Sequence, residues 1–533
     1  MQPKDSTDSG FTRRDMLVLI GQAAGGLALY QAMNSLGFAA ESPHKGPFRL
    51  EGNPKKGASV LILGAGVAGM TAAYELRKAG YNVKVLEFRE KAGGRCWTLR
   101  GGDVFTELGG ETQKCAFDKD QYLNPGPWRI PYHHYAVLDY CRQFGVRLEP
   151  FFQVNYNAYM HSKTAYEGKP QRLRHVMMDF TGHTADLLAK AVNQDKLDAP
   201  LSAEDKGLLL EALQSWGGLD KDHRYVKGPD SASLRGYATD PGGGMMPRKA
   251  YGEPMEFKAL LNSRLWSHLS DCREYEYHTS LFEPEGGMDM IAQAFAREVE
   301  GLIRFNLRVH KIAQDAKGVT VTATDLKTKK DEQFQADWCL CTLPLSILSQ
   351  LDVQVGKPLK EAIDAVPYHA SFKAGLQFKR RFWEEDERIY GGITYSDMPI
   401  RLIGYPMAGI NRGGKGVLLG AYAFGPDAFK FSSMTPKERL AKVLEFDEQI
   451  HPQCRDEFEN GVSVAWHRVP WTNGCYGMWT EQTRAAHYDN LCQIDGRILL
   501  AGEHASFIPA WLEGAILSAQ DATERLHKRV LAG

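Results

Sequence analysis

The stretch SVLILGAGVAGMTAAYELRKAGYNVKVLE, residues 59–87, constrains the fold more than any other part of the 533-residue chain. An apolar strand, a glycine turn, an amphipathic helix and a second apolar strand follow one another, which predicts a βαβ unit. Gly64, Gly66 and Gly69 form GxGxxG at the turn. The first two glycines let backbone N–H groups approach a pyrophosphate, and the third lets helix and strand pack closely. Glu87 ends the second strand, where an acid hydrogen-bonds a ribose diol and would repel the 2′-phosphate of NADP.

The composition is ordinary for a globular protein of two or three domains. Hydrophobic residues make up 43% of the chain and charged residues 24%. The net charge of -1 gives no field directed at nucleic acid or anionic lipid. The nine cysteines include no CxxC pair, and Cys339 and Cys341 alternate in WCLC as the core thiols of a strand would. The sequence shows no Cys/His metal cluster, and we predict no metal site.

The N-terminus has the layout of a twin-arginine export signal. TRRDMLVLIGQAAGG (12–26) places paired arginines before an apolar run, and small residues follow through Ala39 and Ala40. The alternative is an uncleaved membrane anchor, but glutamine and asparagine interrupt the run before it reaches the roughly 20 apolar residues of a span. We expect residues 1–40 to be a signal, residues 41–57 a linker, and the protein to be periplasmic or extracellular, without a stable membrane span once the signal is removed.

Hydrophobic periodicity divides the rest of the chain. Residues 134–145 and 184–213 have helical spacing, whereas 309–325 alternates and turns at Lys317–Gly318 as a hairpin does. GPDSASLRGYATDPGGGMMP (228–247) is predicted to be a flexible loop. We expect an α/β protein with a Rossmann-like βαβ domain, a mixed-sheet domain and a helical insertion. The predicted boundaries are 58–125, 283–350 and 460–533 for a discontinuous dinucleotide-binding domain, 126–282 for a mainly helical domain, and 351–459 for a substrate-binding sheet domain.

A second glycine segment, KAGGRCWT (91–98), follows Glu87 closely. A nicotinamide domain has no need for this element. The chain here resembles the flavin-dependent amine oxidase family, whose members follow the ribose acid with a GGR segment near the FAD phosphates. LLAGEHASFIPAWLEGAILSA (499–519) resembles the family's C-terminal FAD motif, and EPEGGMDMI (283–291) and TLPLSIL (342–348) are similar to family segments. The resemblance runs from about residue 58 to the end of the chain and implies a two-dinucleotide-binding-type FAD domain.

The resemblance assigns residues to the cofactor. Glu503 corresponds to the acid that reaches the ribityl chain, and the backbone near Val309, in VHKI, corresponds to the segment that contacts the adenine. The FAD contacts implied in this way are Gly64, Ala65, Gly66, Ala68, Gly69, Glu87, Gly94, Arg95, Val309, Glu503, Trp511 and Leu512.

GPWRIPYHH (126–134) resembles the segment of L-amino acid oxidases whose arginine binds the substrate carboxylate. The fork of donors on Arg129 matches a carboxylate, although an internal Asp or Glu could be its partner instead. In many relatives this arginine directly follows an ELG segment. Here about fifteen residues separate ELGG (107–110) from GPWRIP. We expect His133, His134 and Tyr135 to lie on a helix surface or to cap a helix.

The remaining pocket residues are implied by three further segments. FKAGLQFKRRFWEED (372–386) resembles the segment whose lysine, here Lys373, holds a water against the flavin. GVLLGAYAFG (416–425) resembles the strand that brings Tyr422 and Phe424 to the substrate, and AWLEG (510–514) supplies Trp511 as the opposing wall. Relatives often have glycine where Ala510 stands, but the backbone carbonyl there can still accept a hydrogen bond from the substrate amine. Core packing is the alternative role for these aromatic residues.

NGCYG (473–477) raises the question of how FAD is attached. The segment resembles the one through which monoamine oxidases bind FAD covalently, so Cys475 could form a thioether. Amino acid oxidases usually lack this cysteine and hold FAD non-covalently. We expect a free thiol at Cys475, with Tyr476 covering the substrate side chain.

The implied activity is that of an L-amino acid oxidase. Hydride transfer from Cα to flavin N5 would give a 2-oxo acid, ammonia and H2O2, with a large apolar or aromatic amino acid and O2 as substrates. The alternatives are an amine oxidase without a carboxylate requirement, an amino acid 2-monooxygenase, and a flavin-binding module without redox function. Members of the family often form homodimers, and the sequence leaves the oligomeric state open.

Overall fold

The computed structural model describes residues 42–54, 57–197 and 201–532. The predicted export signal at 1–40 lies outside these residues. Among the described residues no helix is both long enough and apolar enough to cross a bilayer.

The predicted βαβ unit is confirmed at the centre of a five-stranded sheet. Strand β1 (Ser59–Leu63) pairs in parallel with β2 (Asn82–Leu86) on one side and with β16 (Trp338–Cys341) on the other. The outer strands are β12 (Ile303–Arg304) and β23 (Ile498–Leu500), which gives the order β12-β2-β1-β16-β23. Cys339 and Cys341 are buried in this sheet, as expected for core thiols.

A seven-stranded sheet forms the second layer, in the order β10-β9-β19-β20-β21-β18-β22. Its long central strands, β18 and β21, pair antiparallel, and every residue of β18 is buried. The strands are β9 (Tyr159–His161), β10 (Gln171–Arg172), β18 (Ser371–Phe378), β19 (Ile393–Ser396), β20 (Leu402–Gly404), β21 (Gly416–Phe424) and β22 (Phe458–Ala465).

Four smaller sheets complete the strands of the described chain. The predicted hairpin at 309–325 is confirmed, because β13 and β14 pair antiparallel within the sheet β15-β14-β13-β17. A three-stranded sheet has the order β7-β11-β8, and two pairs are β3-β6 and β4-β5. The strands are β3 (Leu99–Arg100), β4 (Val104–Thr106), β5 (Thr112–Lys114), β6 (Tyr122–Leu123), β7 (Ile130–Pro131), β8 (Leu148–Phe151), β11 (Leu281–Pro284), β13 (Leu307–Gln314), β14 (Val319–Asp325), β15 (Asp331–Ala336) and β17 (Asp352–Val353).

The helices pack around these sheets. The first and last of them, α1 and α15, share a buried apolar core with the parallel sheet. The α-helices are α1 (Val67–Lys78), α2 (Tyr135–Gln143), α3 (Leu173–Asn193), α4 (Ala203–Gly217), α5 (Pro229–Arg235), α6 (Phe257–Ser263), α7 (Asp289–Glu298), α8 (Leu345–Leu348), α9 (Lys357–Asp364), α10 (Phe382–Glu385), α11 (Gly425–Ser432), α12 (Pro436–Asp447), α13 (Cys454–Glu457), α14 (Glu481–Cys492) and α15 (Leu512–Leu531).

The prediction of a continuous flexible loop at 228–247 was wrong in its first half. Pro229 begins the short helix α5, since proline is favoured in the first turn, where its missing N–H is not needed. Arg235 at the end of α5 is buried and donates to Asp179 on α3, with 2.7 Å between Nε and Oδ1. A long-range ion pair therefore orders a segment whose local composition predicts a loop.

Residues 126–282, the predicted mainly helical domain, contain helices α2–α6 and also strands of two sheets. Strands β9 and β10 join the seven-stranded sheet, and β7, β8 and β11 form the three-stranded one. The three-stranded sheet places the end of β7, directly after Arg129, beside β11.

Candidate active site

The glycine turn lies between β1 and α1. Gly64 has φ +98°, and a Cβ on Gly69 would lie 2.0 Å from the carbonyl oxygen of Gly64, which leaves no room for a side chain. A Cβ on Gly66 would meet no protein atom within 4 Å. Helix α1 has Gly66 as N-cap, no side-chain cap and no acidic residue in its first turn. The turn therefore presents open space and uncapped N–H groups, as an anion site requires.

Glu87 stabilises this turn through hydrogen bonds to its backbone. Its carboxylate accepts from the N–H of Ala65 at 2.7 Å and from the N–H of Arg89 at 2.8 Å. Burial raises the pKa of Glu87, and these backbone donors oppose that rise. The GGR segment packs on the same turn, because the N–H of Gly93 donates to the Ala65 carbonyl at 2.8 Å and a Cβ on Gly94 would lie 3.3 Å from Cα of Gly66.

Arg95 and Glu503 tie the turn region to the C-terminal segment. Arg95 donates to Glu503 at 2.6 Å and to the carbonyl of Cys475 at 2.8 Å. The other oxygen of Glu503 accepts from the N–H of Ala510 at 3.1 Å. Burial alone would lower the pKa of Arg95, but the adjacent Glu503 carboxylate outweighs it and the pKa is raised. The Arg95 guanidinium therefore stays charged, and its hydrogen bonds join the GGR segment to the segments of Cys475 and Glu503.

One cleft brings most of the predicted site residues together. Its empty volume is about 1580 Å³, including space open to solvent. The predicted residues along its wall are Gly64, Gly66, Ala68, Glu87, Gly94, Arg95, Arg129, Tyr422, Phe424, Cys475, Tyr476, Glu503, Ala510, Trp511 and Leu512. The other three predicted FAD contacts do not line the cleft. Ala65 and Gly69 are buried within the glycine segment, and Val309 is buried in β13.

Arg129 lies half-buried in the cleft among aromatic rings. Its guanidinium carbon is 4.3 Å from the centroid of the Tyr277 ring, and Trp128, Phe151 and Trp511 have ring centroids within 6 Å of it. Ring faces attract a cation through the negative potential above the ring. Tyr277 belongs to the segment 266–277, where the sequence did not indicate individual residues.

Lys373 is buried behind the cleft wall. Its Nζ donates to the carbonyls of Gly126 at 2.7 Å and Asn124 at 3.2 Å, and it lies 4.3 Å from the centroid of the Tyr422 ring. Burial lowers the pKa of Lys373 to about 7; Cys475 opposes the shift and Arg129 adds to it. The amine can therefore change charge near neutral pH.

Aromatic side chains form two walls at this end of the cleft. Tyr422 and Phe424 project from β21 with ring centroids 4.6 Å apart. Tyr476 stacks on His369 at 5.5 Å. Trp511 contacts His134 edge-on at 4.9 Å. The predicted aromatic pocket residues thus lie in one place, although Tyr422 and Trp511 are far apart in the sequence.

The expectation that His133 and His134 lie on a helix surface was wrong. His134 does stand at the N-cap of α2, but its side chain does not cap the helix, and both imidazoles are fully buried. Their Nε2 atoms lie 3.5 and 3.2 Å from one carboxylate oxygen of Glu276. Burial raises the pKa of Glu276 to about 7 and lowers the pKa of His134 to about 4. The sequence could not indicate this cluster, because Glu276 lies about 140 residues away.

The chain is similar to proteins named as L-amino-acid oxidases over most of its length. An L-amino-acid oxidase of Siganus canaliculatus is 28% identical over 89% of this chain and 86% of its own length. The L-amino-acid oxidase of Vipera ammodytes ammodytes is also 28% identical, over 89% of this chain and 93% of its own length. The structure of cyclohexylamine oxidase from Brevibacterium oxydans matches 89% of this chain and all of its own with a TM-score of 0.59 at 16% identity, which shows a shared fold.

These findings define an FAD-dependent oxidoreductase. The model of the family described as flavin containing amine oxidoreductase matches residues 67–527, and the chain belongs to that family.

The residues around the cleft fit FAD. The open space at Gly66 and the uncapped N–H groups of α1 suit the phosphates. Glu87 lies at the end of β2, where a ribose diol would meet it, and Arg95 with Glu503 lies further along the cleft. The nucleotide end and the aromatic end belong to one continuous cleft, as a cofactor that reaches from one to the other requires.

Proposed function

We propose that the protein is an L-amino acid oxidase, which converts L-amino acids to 2-oxo acids, ammonia and H2O2. The observation that carries the proposal is Arg129, a half-buried cation at the aromatic end of the cleft. A guanidinium binds a carboxylate through two parallel hydrogen bonds, and a simple amine offers no such group. The names of the relatives support the same substrate class.

Each side chain has a role in this proposal. Arg129 binds the substrate carboxylate, and the rings of Tyr422 and Trp511 frame the amine and exclude water. The neutral form of Lys373 at Nζ can hold a water or a proton beside the pocket. FAD, when bound, supplies two-electron oxidation of the C–N bond with O2 as the final acceptor. Trp128, Phe424 and Tyr476 favour a large apolar or aromatic substrate side chain.

The test compares two substrates that differ only by a carboxylate. We expect the purified yellow enzyme to produce peroxide with L-phenylalanine and not with phenethylamine. Arg129→Ala should lower kcat/KM for L-phenylalanine by about 100- to 1000-fold, because it removes a buried charge partner. Arg129→Lys keeps the charge but loses the fork, so it should recover only part of the activity. Preferred turnover of phenethylamine would refute the proposal.

A second candidate is an amine oxidase without a carboxylate requirement. Cys475 favours it, because this cysteine lines the cleft within the NGCYG segment. We propose that FAD is nevertheless held non-covalently, as in the L-amino acid oxidases that the chain resembles. Burial raises the pKa of the Cys475 thiol. An amino acid 2-monooxygenase is the third alternative, and consumption of O2 with release of CO2 but without matching yields of peroxide and 2-oxo acid distinguishes it.

We also propose export through the twin-arginine route, supported by the paired arginines of TRRDMLVLIG at residues 12–21. Fractionation of cells that express the full chain and an Arg13→Lys, Arg14→Lys variant tests this: export should be lost in the variant. We also propose a homodimer, because members of the family often form one. Sedimentation of the purified protein tests this proposal.

A further inference from the structure

A second cavity shares Trp128 with the cleft. Its empty volume is about 1750 Å³, including space open to solvent. Trp128, Tyr405 and Leu419 form apolar parts of its wall. Four carboxylates line it together with several cations, namely those of Asp120, Glu149, Glu283 and Glu285. The activity proposed above uses none of these carboxylates.

Glu149 and Glu283 lie opposite each other on two neighbouring strands. In the antiparallel pair of β8 and β11 they are direct register partners. Directly opposed residues have Cβ atoms about 5 Å apart on the same sheet face, and like charges there are destabilising. Glu283 is only 5% exposed although it lines the cavity. Among the described residues, no hydrogen bond or ion pair within 4 Å engages the side chain of either glutamate.

The cations around the cavity are already engaged, with one exception. Lys415 pairs with Asp118 and Glu459. Arg147 pairs with Glu285 at the rim, and Arg381 pairs with Glu384. The exposed Arg412 remains, and its charge acts on Glu149. Burial, and then the neighbouring Glu149, raise the pKa of Glu283 well above its usual range. Arg412 compensates Glu149 only in part, because it does not lie within ion-pair distance of either glutamate.

We propose that this cavity binds the primary ammonium group of a small amine or free amino acid, with Glu149 and Glu283 as its acceptors. An ammonium group has three donors and no acceptor, so two opposed carboxylates match it in charge and in hydrogen bonding. The carbon skeleton of the ligand contacts Trp128 and Leu419, and Arg412 can take the carboxylate of an amino acid.

Trp128 connects this second site to the cleft. Its ring is 6.2 Å from that of Tyr422 and 5.2 Å from that of Phe151, and the guanidinium of Arg129 lies 5.4 Å from its centroid. A ligand against the indole therefore lies one side chain away from the pocket. The binding itself goes beyond the proposed oxidase activity and does not depend on what Arg129 holds.

The test uses the holoenzyme and two probes without an α-hydrogen, α-aminoisobutyrate and tert-butylamine, so that oxidation cannot intervene. We expect calorimetric titration to show a site whose affinity falls at least about tenfold in Glu283→Gln, because a charged acceptor is lost. Glu149→Gln is the second variant and is less buried. The matched control is Glu285→Gln, which lines the same cavity but already pairs with Arg147, and it should bind like the wild type.

The two probes separate the sources of the ammonium group. Binding of both identifies the ammonium alone as the determinant, whereas binding of α-aminoisobutyrate alone adds a carboxylate contact that Arg412→Ala should remove. Arg129→Ala should leave this site intact, so failure of the proposed activity and failure of this site are distinguishable. Unchanged titrations in both Glu283→Gln and Glu149→Gln, or a site that takes Ca²⁺ and neither probe, would overturn the proposal.

Discussion

At the glycine turn the wall of the cleft is formed mainly by backbone atoms, whereas around Arg129 it is formed by side chains. The turn lies within one short segment, and the closest limit at Gly69 is the carbonyl oxygen of Gly64, with the Thr342 hydroxyl next to it. Arg129 is instead surrounded by rings from positions 128, 151, 277 and 511. A backbone wall cannot move aside for an added atom. A side-chain wall can accept substitutions without loss of fold, but each substitution changes its chemistry.

The largest effect should come from Gly69→Ala. Its Cβ would lie 2.0 Å from the Gly64 carbonyl oxygen, so α1 would have to move away from β1. We expect insoluble or colourless protein. Gly66→Ala is the matched control, because its Cβ meets no protein atom. It should fold with an unchanged Tm in the flavin-free form but retain less FAD. Equal loss of folded protein in both variants would contradict the conclusion that the Gly64 carbonyl excludes a side chain at Gly69.

The next largest effect should come from a buried ion pair whose residues do not line the cleft. Glu107 after β4 accepts from Arg439 on α12 through two bonds of 2.6 and 2.8 Å, and both side chains are fully buried. Glu107→Gln leaves a buried guanidinium uncompensated and should lower the free energy of unfolding by about 3–5 kcal/mol. Urea titration measures this change. Glu111→Gln, exposed a few residues away, is the control, and a similar loss there would refute the argument.

Lys373→Met should lower kcat by about 100-fold while the protein stays folded. Because burial lowers the pKa of Lys373 to about 7, its amine is charged below that pH and neutral above it. If the neutral amine is the active form, the rate rises through pH 7 in the wild type, and this limb disappears in the variant. Lys379→Met, at an exposed position just after β18, should keep the wild-type profile. If the rise of the rate through pH 7 persists in Lys373→Met, the titration of another group causes it.

The smallest effect should follow Cys475→Ser. If FAD is bound non-covalently, acid precipitation should release it equally from the wild type and the variant, and activity should stay within about threefold, as for a volume-conserving change. Flavin that remains with the precipitated wild-type protein and is released from the variant would show covalent attachment. It would also favour the amine oxidase alternative.

The nucleotide half of the cleft could be predicted from the sequence because its geometry is local. Gly64, Gly66, Gly69 and Glu87 lie within one βαβ unit, and their spacing already fixes which atoms meet. Val309 is the exception: the resemblance implies a backbone contact, whereas the structure buries its side chain in β13, away from the cleft wall. Its proposed contact with the adenine stays a prediction.

The substrate half could be predicted only in part. The resemblance indicated Arg129, Lys373, Tyr422 and Trp511, but not Tyr277, which stacks on the guanidinium. It also gave no sign that His133 and His134 are buried against Glu276. Both omissions concern the segment after α6, where no local pattern distinguishes a pocket residue from a surface residue.

The sequence by itself determined the βαβ unit and the dinucleotide turn, because these features depend on backbone conformation and on local spacing, which periodicity and the glycine pattern record. Most of the other residues that meet in the cleft were indicated only by the resemblance to the amine oxidase family. The tertiary structure decided which charges are buried together, as in the pairs Arg235–Asp179 and Glu107–Arg439 and in the opposed Glu149 and Glu283. Burial of a charge depends on what packs over it from distant parts of the chain, and no short stretch of sequence contains that information.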